Sequence, residues 1–237
     1  MASANRPMQL SQRHLDWLRL EIADPGPQLI DGFRTATDAD FADNVERMLR
    51  TMPPDGFWLF GYGSLIWKPE TAFTEKRVAL ARGWHRRFCL GWDYRFRGNR
   101  DAPGLMMALD RGGQCRGVTY RLPPDTLEEE LHKLVRREIS MVPSAFPWRW
   151  IKVATDDGPL TALTFAMDRK SPRYIAGLSE DEMAHMFATA RGFRGSMAEY
   201  LHSTVEKLEE MGIHDRNLWR LQALAAERID AVMQTET

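Results

Sequence analysis

The sequence is poor in cysteine and has no histidine pairs at metal-binding spacing. Cys89 and Cys115, its two cysteines, lie 26 positions apart with no Cys-x-x-Cys pattern. Neither a disulfide framework nor a structural zinc site is therefore predicted. None of the six histidines has another three or four positions away, as two metal ligands on one helix would. We expect no metal ion in this protein.

An excess of charge of one sign is also missing, as are long apolar runs. The 32 basic and 33 acidic residues leave a formal net charge of -1, so there is no broad positive field for nucleic acid or an anionic membrane. No apolar run approaches the ~20 residues that span a bilayer, and the first 17 residues lack the apolar segment of a secretion signal. The sequence thus predicts a cytosolic protein without nucleic-acid or membrane partners, and it gives no indication of the oligomeric state.

Short β-like segments dominate the chain from Phe57 onward. Hydrophobic residues make up 43% of the sequence and charged residues 27%, as in ordinary globular domains. The candidate strands are 57–62, 76–81, 84–91, 104–109, 114–122, 148–155 and 160–167. Turns are predicted at Gly98-Asn99, Gly112-Gly113 and Asp157-Gly158. So many strands at this spacing favour a closed or strongly curled sheet over a parallel βαβ array.

Helices are predicted before, between and after these strands. Residues 1–54 are predicted to form an N-terminal helical extension, and residues 55–237 the main domain. Asp38 is the predicted cap of a helix in the extension, with apolar positions Phe41, Val45, Met48 and Leu49. One helix, opened by Asp125 and Glu128, interrupts the strands. Three more close the chain, with starts at Ser179, Ser196 and Asp215 and with Gly212 ending the second of them.

The helix that interrupts the strands has a charged residue where its core stripe should continue. Its apolar positions are Leu127, Leu131, Leu134 and Val135, and the next position on that stripe is Glu138. The faces predicted to be exposed carry Glu128, Glu129, Glu130, Lys133, Arg136 and Arg137. Glu138 has two interpretations: the stripe ends there and its side chain meets Arg137 or water, or it is a perturbed acid that faces a cleft.

A glycine-rich turn follows the first predicted strand, in the stretch FGYGSLIWKP. Glycines on both sides of Tyr62 allow a sharp turn, which is either a plain corner or a cradle of backbone N–H groups for an anion. Ser64 is a poor candidate for a nucleophile because GYGSL does not have the G-x-S-x-G pattern of the nucleophile elbow.

Five segments, FGYGSLIWKP, GWHRRFCLG, CRGVTYRLPPDTLEEELHKLVRREI, ALTFAMD and GSMAEYLHSTVEKLEEMGIHDRNLWRL, follow one another from about Phe57 to Leu224. Together they resemble the ChaC family of glutathione-specific γ-glutamylcyclotransferases, in its bacterial form. The YGSL and R-R-E elements are specific when they occur together.

The resemblance implies an α+β fold, with a small closed or curled mixed β-barrel and flanking helices. It also implies an enzyme without a cofactor, whose small-molecule substrate, glutathione, is cleaved into 5-oxoproline and cysteinylglycine. By motif position, the catalytic glutamate of the family falls on Glu138. The substrate-binding loop falls on Leu59, Phe60, Gly61, Tyr62, Gly63, Ser64 and Leu65.

The chain departs from the family pattern at two places. Bacterial relatives carry a tyrosine shortly after the glutamate, whereas residues 141–147 contain none, and Ser144 or Phe146 takes its place. The usual asparagine of the last segment is Met197. Two alternatives therefore stay open: a different γ-glutamyl amine or dipeptide as the substrate, or a non-catalytic module that binds a γ-glutamyl ligand or a protein partner.

A basic cluster, Trp84-His85-Arg86-Arg87, also has two interpretations. It is either a solvated strand edge or a carboxylate-binding group in a cleft. The glycine carboxylate of glutathione would need a cation, and the sequence offers Arg82, Arg86, Arg87 and Arg97 as candidates.

Overall fold

The computed structural model describes residues 7–66 and 68–235. Within these residues the α-helices are α1 (Gln12–Leu18), α2 (Asp38–Arg50), α3 (Leu127–Glu138), α4 (Glu180–Thr189), α5 (Met197–Glu210) and α6 (Arg216–Thr235). The strands are β1 (Arg34–Thr35), β2 (Trp58–Gly61), β3 (Glu75–Asp93), β4 (Gly104–Arg121), β5 (Met141–Val142), β6 (Trp148–Thr155), β7 (Gly158–Phe165), β8 (Arg191–Gly192) and β9 (Gly195–Ser196).

The chain forms two compact units. Residues 29–90 and 107–174 make up one, here called the barrel unit. The other, here called the helical unit, comprises the described residues of 1–28, 91–106 and 175–237. The predicted division of the chain after residue 54 stays a prediction.

Five strands close into a barrel in the order β2-β4-β3-β6-β7. β2 runs parallel to β7, with Leu59 opposite Leu163, and antiparallel to β4. β6 and β7 form an antiparallel hairpin that turns at Asp156 and Asp157, one residue before the predicted turn at Asp157-Gly158. The barrel is therefore of mixed type, which confirms the predicted fold class.

Two of the predicted strand breaks are wrong. Segments 76–81 and 84–91 belong to the single strand β3, and segments 104–109 and 114–122 belong to β4, which ends at Arg121. Gly83 in β3 has a φ of 79°, and Gly112 and Gly113 in β4 have φ values of 104° and 66°. Because glycine adopts this left-handed conformation at little cost, the strands change direction at these points without ending.

The N-caps of helices α2 and α3, Thr37 and Thr126, each lie one residue away from the predicted caps Asp38 and Asp125. The side chain of Thr37, and not Asp38, accepts the hydrogen bond from the amide of Asp40 at the start of α2. α3 begins at Leu127, after a 3₁₀ turn over Pro124–Thr126 that contains Asp125. Both predicted helices are present, and only the capping residues were wrong.

The predicted stripe of α3 lies in a hydrophobic core. Leu131, Leu134 and Val135 are buried together with side chains of α2 and of the barrel, among them Met48 and Leu163. The prediction that Glu130 is exposed is wrong, since only 4% of this residue is accessible. Its carboxylate accepts hydrogen bonds from the amide of Ala72 at 2.7 Å and from Nζ of Lys133 at 2.9 Å. Glu130 thus ties α3 to the segment that precedes β3.

The caps of the helical unit are as predicted. Ser179 and Ser196 accept hydrogen bonds from the amides of Glu182 and Glu199 at the starts of α4 and α5. Asp215 does the same for α6, through the amides of Asn217 and Leu218. Gly212, with a φ of 68°, follows α5. Among the described residues, no helix combines the length and the apolarity that crossing a bilayer requires.

Candidate active site

The glycine-rich turn at the end of β2 is a tight corner. Ser64–Ile66 form one turn of 3₁₀ helix, in which the amide of Ile66 donates to the carbonyl of Gly63 at 2.8 Å. A Cβ atom added to Gly61 would lie 3.1 Å from Cβ of Leu65, so the chain folds closely onto itself here. The first amides of a helical turn have no carbonyl partner within it. The turn can therefore be a tight corner and also offer backbone N–H groups to an anion.

Two buried hydroxyl groups of barrel strands donate hydrogen bonds to the two ends of the turn. Tyr120 in β4 donates to the carbonyl of Ile66 at 2.8 Å, and Thr164 in β7 donates to the carbonyl of Phe60 at 3.0 Å. Burial raises the pKa of Tyr120 to about 12, so its hydroxyl remains a donor near neutral pH. Both ends of the turn are consequently fixed by strands of the barrel.

Most side chains of the predicted substrate-binding loop are part of the core. Leu59 and Leu65 are buried in the core beneath α3, and Phe60 and Tyr62 are buried in the barrel interior. Ser64 is partly exposed. The backbone and the hydroxyl group of Ser64 are therefore polar groups of the loop that can face a ligand.

Glu138 is the last residue of α3, and 16% of its side chain is accessible. Burial raises the pKa of its carboxyl group, the Arg137 guanidinium lowers it, and the Glu70 carboxylate raises it further, with a net upward shift. The position at a helix C-terminus also disfavours negative charge. Glu138 thus contacts Arg137, as the first interpretation predicts, and its pKa is perturbed, as the second predicts, while a cleft at this residue stays a prediction.

Arg137 connects Glu138 to the glycine-rich turn. Its Nε lies 2.8 Å from Oε1 of Glu138, and its Nη2 donates to Oγ of Ser64 at 3.1 Å. Its Nη1 donates to the carbonyl of Lys68 and lies 3.4 Å from Oε2 of Glu70. The prediction that Arg137 lies on an exposed face is wrong, since only 17% of its side chain is accessible.

Glu70 is a second acid of the site that the sequence did not indicate. It lies just after the FGYGSLIWKP stretch and adopts a φ of 56°, which is uncommon for a residue other than glycine. Its carboxylate lies 2.9 Å from Nζ of Lys68 and shares the guanidinium of Arg137 with Glu138. The site therefore holds two carboxylates around one arginine.

The positions that depart from the family pattern have different surroundings. Phe146 packs against the core beneath α3, with its ring 6.3 Å from that of Phe165. Ser144 lines a cavity of about 310 Å³, together with residues of segments 31–33 and 168–172. Met197 is fully buried in the helical unit, where its sulfur accepts a hydrogen bond from the amide of Leu105 at 3.2 Å. Of the three, Ser144 is the one that borders open space.

Three of the four arginines suggested for the glycine carboxylate have partners within their own unit. Arg86 is buried and donates to the carbonyl of Arg116, and Arg87 lies 4.0 Å from the carboxylate of Asp110. Arg97 pairs with Glu199 at 3.0 Å in the helical unit. Arg82 is exposed. In the part of the chain that the structure describes, no three His, Cys, Asp or Glu side chains are grouped as metal ligands.

Comparison with known proteins gives consistent matches. Residues 57–228 match the family model described as ChaC-like protein. The glutathione-specific γ-glutamylcyclotransferase of Escherichia coli (strain K12) is 39% identical over 179 residues, which cover 75% of this chain and 76% of that protein. Glutathione-specific γ-glutamylcyclotransferase 1 of Mus musculus is 37% identical over 153 residues, with 62% and 67% covered.

Solved structures agree with the fold. A yeast γ-glutamyl cyclotransferase specific to glutathione superposes with a TM-score of 0.64 at 20% identity, covering 73% of this chain and 99% of that chain. At this identity the match concerns the fold, which it confirms. The match of residues 57–228 to the family model likewise confirms the resemblance that was predicted from about Phe57 to Leu224.

Proposed function

The chain belongs to the ChaC-like protein family, and we propose that it is an enzyme that cleaves glutathione into 5-oxoproline and cysteinylglycine. One observation of the site carries this proposal. Glu138, whose pKa is raised by burial, is linked through Arg137 to the glycine-rich turn after β2. A proton-transferring group and a set of backbone donors thus belong to one hydrogen-bonded network.

The reaction needs no nucleophile from the protein. The α-amine of the γ-glutamyl group attacks its own γ-carbonyl carbon, which forms the C–N bond of a five-membered lactam. The C–N bond to the cysteinyl nitrogen then breaks, and cysteinylglycine departs. Intramolecular reactions between well-held groups reach effective molarities of ~10⁵ M or more, so positioning supplies much of the rate.

In the proposed reaction Glu138 transfers the proton. The α-amine arrives as an ammonium group and must lose a proton before it attacks, while the departing nitrogen must gain one. A carboxylate with a raised pKa is a stronger base than an ordinary glutamate, and its protonated form still delivers the proton to the leaving amine. The ion pair with Arg137 fixes the position of this carboxylate.

We assign the binding of negative charge to the glycine-rich turn. The amides of Gly63, Ser64 and Leu65 open the 3₁₀ turn, and such amides suit a substrate carboxylate or the oxygen of the γ-carbonyl as charge develops on it. Because Tyr120 and Thr164 anchor the turn, these donors would need little rearrangement during the reaction.

Product analysis tests the proposal. The purified full chain is incubated with glutathione, and 5-oxoproline and cysteinylglycine are quantified. General acid/base catalysis contributes about 10²- to 10⁴-fold, so Glu138→Gln is expected to lower kcat by that factor. Glu129→Gln is the matched control, since this residue of α3 is exposed and pairs with Lys133. Full turnover by Glu138→Gln would contradict the assigned role.

The alternative substrates are tested in the same assay. Ser144, one of the two residues that could take the place of the family's tyrosine, borders a cavity, and this favours a comparison of glutathione with simple γ-glutamyl amino acids. Preference for glutathione supports the proposal, and equal rates support a broader γ-glutamyl specificity. Saturable binding without any product would instead indicate a binding module.

We also propose that the enzyme acts in the cytosol. Cys89 and Cys115 are both buried and form no disulfide. Cysteines in the thiol form are usual in reducing compartments, where disulfides rarely persist. Fractionation of cells that express the full chain, followed by immunodetection, tests this location.

A further inference from the structure

Two arginines lie over one tryptophan ring in the barrel unit. The guanidinium carbons of Arg149 and Arg111 are 5.4 Å and 5.7 Å from the centroid of the Trp84 ring. The three residues come from β6, β4 and β3. Cation–π contact attracts each guanidinium to the ring, but it leaves the charges of the two arginines uncompensated.

The charge at this place lacks an acidic partner. Among the described residues, neither Arg149 nor Arg111 forms an ion pair through its side chain, and the buried Nε of Arg149 has no hydrogen-bond partner. Burial and the charge of Arg111 lower the pKa of Arg149, and the carboxylate of Asp168 opposes this from a greater distance than an ion pair. A buried donor without a partner is unfavourable, and an anionic ligand held by this guanidinium would offset that cost.

The arginine pair lies at the same end of the barrel as the glycine-rich turn. β2 is parallel to β7, with Leu59 opposite Leu163, and the two strands end at Gly61 and Phe165. β6 runs the other way and begins there, with Arg149 opposite Thr164. Thr164 of β7 lies between Arg149 of β6 and Phe60 of β2, and its hydroxyl group donates to the carbonyl of Phe60. Two strand spacings of about 4.8 Å therefore separate Arg149 from Phe60.

Arg149 also shares the inner face of the barrel with the turn. Side chains alternate along a strand, and Ile151 and Val153, two and four residues further on, are buried in the barrel interior. Trp84 packs against the same interior cluster, which includes Tyr62 of the turn. The arginine pair and the turn thus border one region of the barrel.

Resting on the proposed function, we propose that Arg149 and Arg111 bind the terminal carboxylate of the departing part of the substrate. An extended cysteinylglycine spans about 7 Å, at 3.3–3.6 Å per residue. The backbones of Arg149 and Phe60 are about 10 Å apart, and the long arginine side chain can cover the difference. The planar guanidinium group matches the two oxygens of a carboxylate. A bound carboxylate would also relieve the repulsion between the two arginines. These arginines replace Arg82, Arg86, Arg87 and Arg97 as our candidates.

Steady-state kinetics with two substrates tests this site. Glutathione is compared with its ethyl ester on the glycine carboxyl, which removes the negative charge. Arg149→Gln is expected to raise KM for glutathione about tenfold, with kcat within about twofold, because a charge-assisted hydrogen bond is lost far from the reacting atoms. For the wild type, KM should be higher for the ester than for glutathione by a similar factor. Arg149→Gln should raise KM for the ester only slightly further. Arg111→Gln should act in the same direction, more weakly, because its side chain is exposed.

Lys152→Gln is the matched control, since Lys152 is exposed on the opposite face of β6. Arg149→Lys serves if Arg149→Gln does not fold, and thermal unfolding verifies each variant. The proposal is overturned if Arg149→Gln leaves KM for glutathione unchanged or raises KM equally for the acid and the ester. If the wild type releases no 5-oxoproline, the proposed function fails instead. Calorimetry then tests the site alone, and equal affinities of the wild type for the acid and the ester would reject it.

Discussion

Nε of Arg137 lies 2.8 Å from Oε1 of Glu138, so two consecutive residues at the end of α3 form an ion pair. Neighbouring residues on a helix point about 100° apart and do not ordinarily face each other, and this pair meets where the helix ends. Because the same guanidinium reaches Ser64 and Glu70, it couples the acid to the glycine-rich turn. Arg137 is thus a positioning residue of the proposed site.

Replacing Arg137 should change both the rate and its pH dependence. Arg137→Gln is expected to lower kcat/KM about 10- to 100-fold, since it removes charge-assisted hydrogen bonds worth about 1.5–3 kcal/mol. Loss of the cation disfavours the ionised carboxylate, so the pKa of Glu138 should rise and the acidic limb of the pH–rate profile should move to higher pH. Arg136→Gln, which removes an exposed pair with Asp38, is the control. An unshifted acidic limb in Arg137→Gln would contradict this role.

Replacing Glu70 should move the same limb in the other direction. The Glu70 carboxylate raises the pKa of Glu138, so its removal in Glu70→Gln should lower that pKa. It also leaves Arg137 to pair with Glu138 alone. The acidic limb of kcat/KM is therefore expected at lower pH than in the wild type, and Glu46→Gln on α2, which removes an exposed pair with Arg50, should leave it unmoved. A shift to higher pH would show that Glu70 acts by another route.

Features that depend on a few neighbouring residues could be predicted from the sequence. The caps at Ser179 and Ser196 are local, and so is the apolar stripe that ends at Glu138. The closed sheet followed from the number and spacing of the strands. The predicted strand breaks at 82–83 and at Gly112-Gly113, however, are wrong, because the preference of glycine for positive φ does not reveal whether pairing continues beyond it.

Features that depend on distant segments could not be predicted in this way. Glu130 and Arg137 have the composition of an exposed helix face, and their partners at Ala72, Lys68 and Ser64 come from about 60 to 70 residues away. Hydrophobic periodicity separates core from surface positions, but it does not identify polar residues that are buried by a loop. For Arg137 the sequence offered two indications, the order R-R-E and the possibility that Glu138 meets Arg137.

Glu138 and Glu130, both on α3, should have opposite effects on stability. The pKa of Glu138 is higher in the folded protein than in the unfolded chain. This difference stabilises the fold at a pH below the unfolded-state pKa, and the stabilisation is lost as the pH rises through the folded-state pKa. Glu138→Gln is therefore expected to raise Tm at pH 7 relative to the wild type, with a smaller difference at pH 4.

For Glu130, burial raises the pKa, but hydrogen bonds from Lys133 and Ala72 lower it by more. Its ionised form thus stabilises the fold above the unfolded pKa, and this contribution is lost as the pH falls. Glu130→Gln should lower stability at pH 7 by about 1–3 kcal/mol and by less at pH 4. Thermal unfolding of both variants at pH 7 and pH 4 checks these two predictions. Changes in Tm of the same sign for Glu138→Gln and Glu130→Gln at pH 7 would refute the opposite effects assigned to the two residues.

The hydroxyl group of Tyr120 should matter for both stability and turnover. Tyr120→Phe removes the hydrogen bond to the carbonyl of Ile66 and leaves that carbonyl buried without this donor, at a cost of about 1–3 kcal/mol. The turn should then be held less firmly, and kcat should fall by up to about tenfold, since small misplacements of positioning groups are costly.

Tyr174→Phe separates the two effects of that change. Tyr174 donates to Oδ2 of the buried Asp110 at 2.9 Å, also within the barrel unit, but it has no contact with the turn in the described structure. Its loss should lower the free energy of unfolding in urea by a similar amount and leave kcat unchanged. If both variants lost activity in proportion to their stability, Tyr120 would contribute only to folding. A fall in kcat confined to Tyr120→Phe would show that the turn must be held rigidly for ring closure.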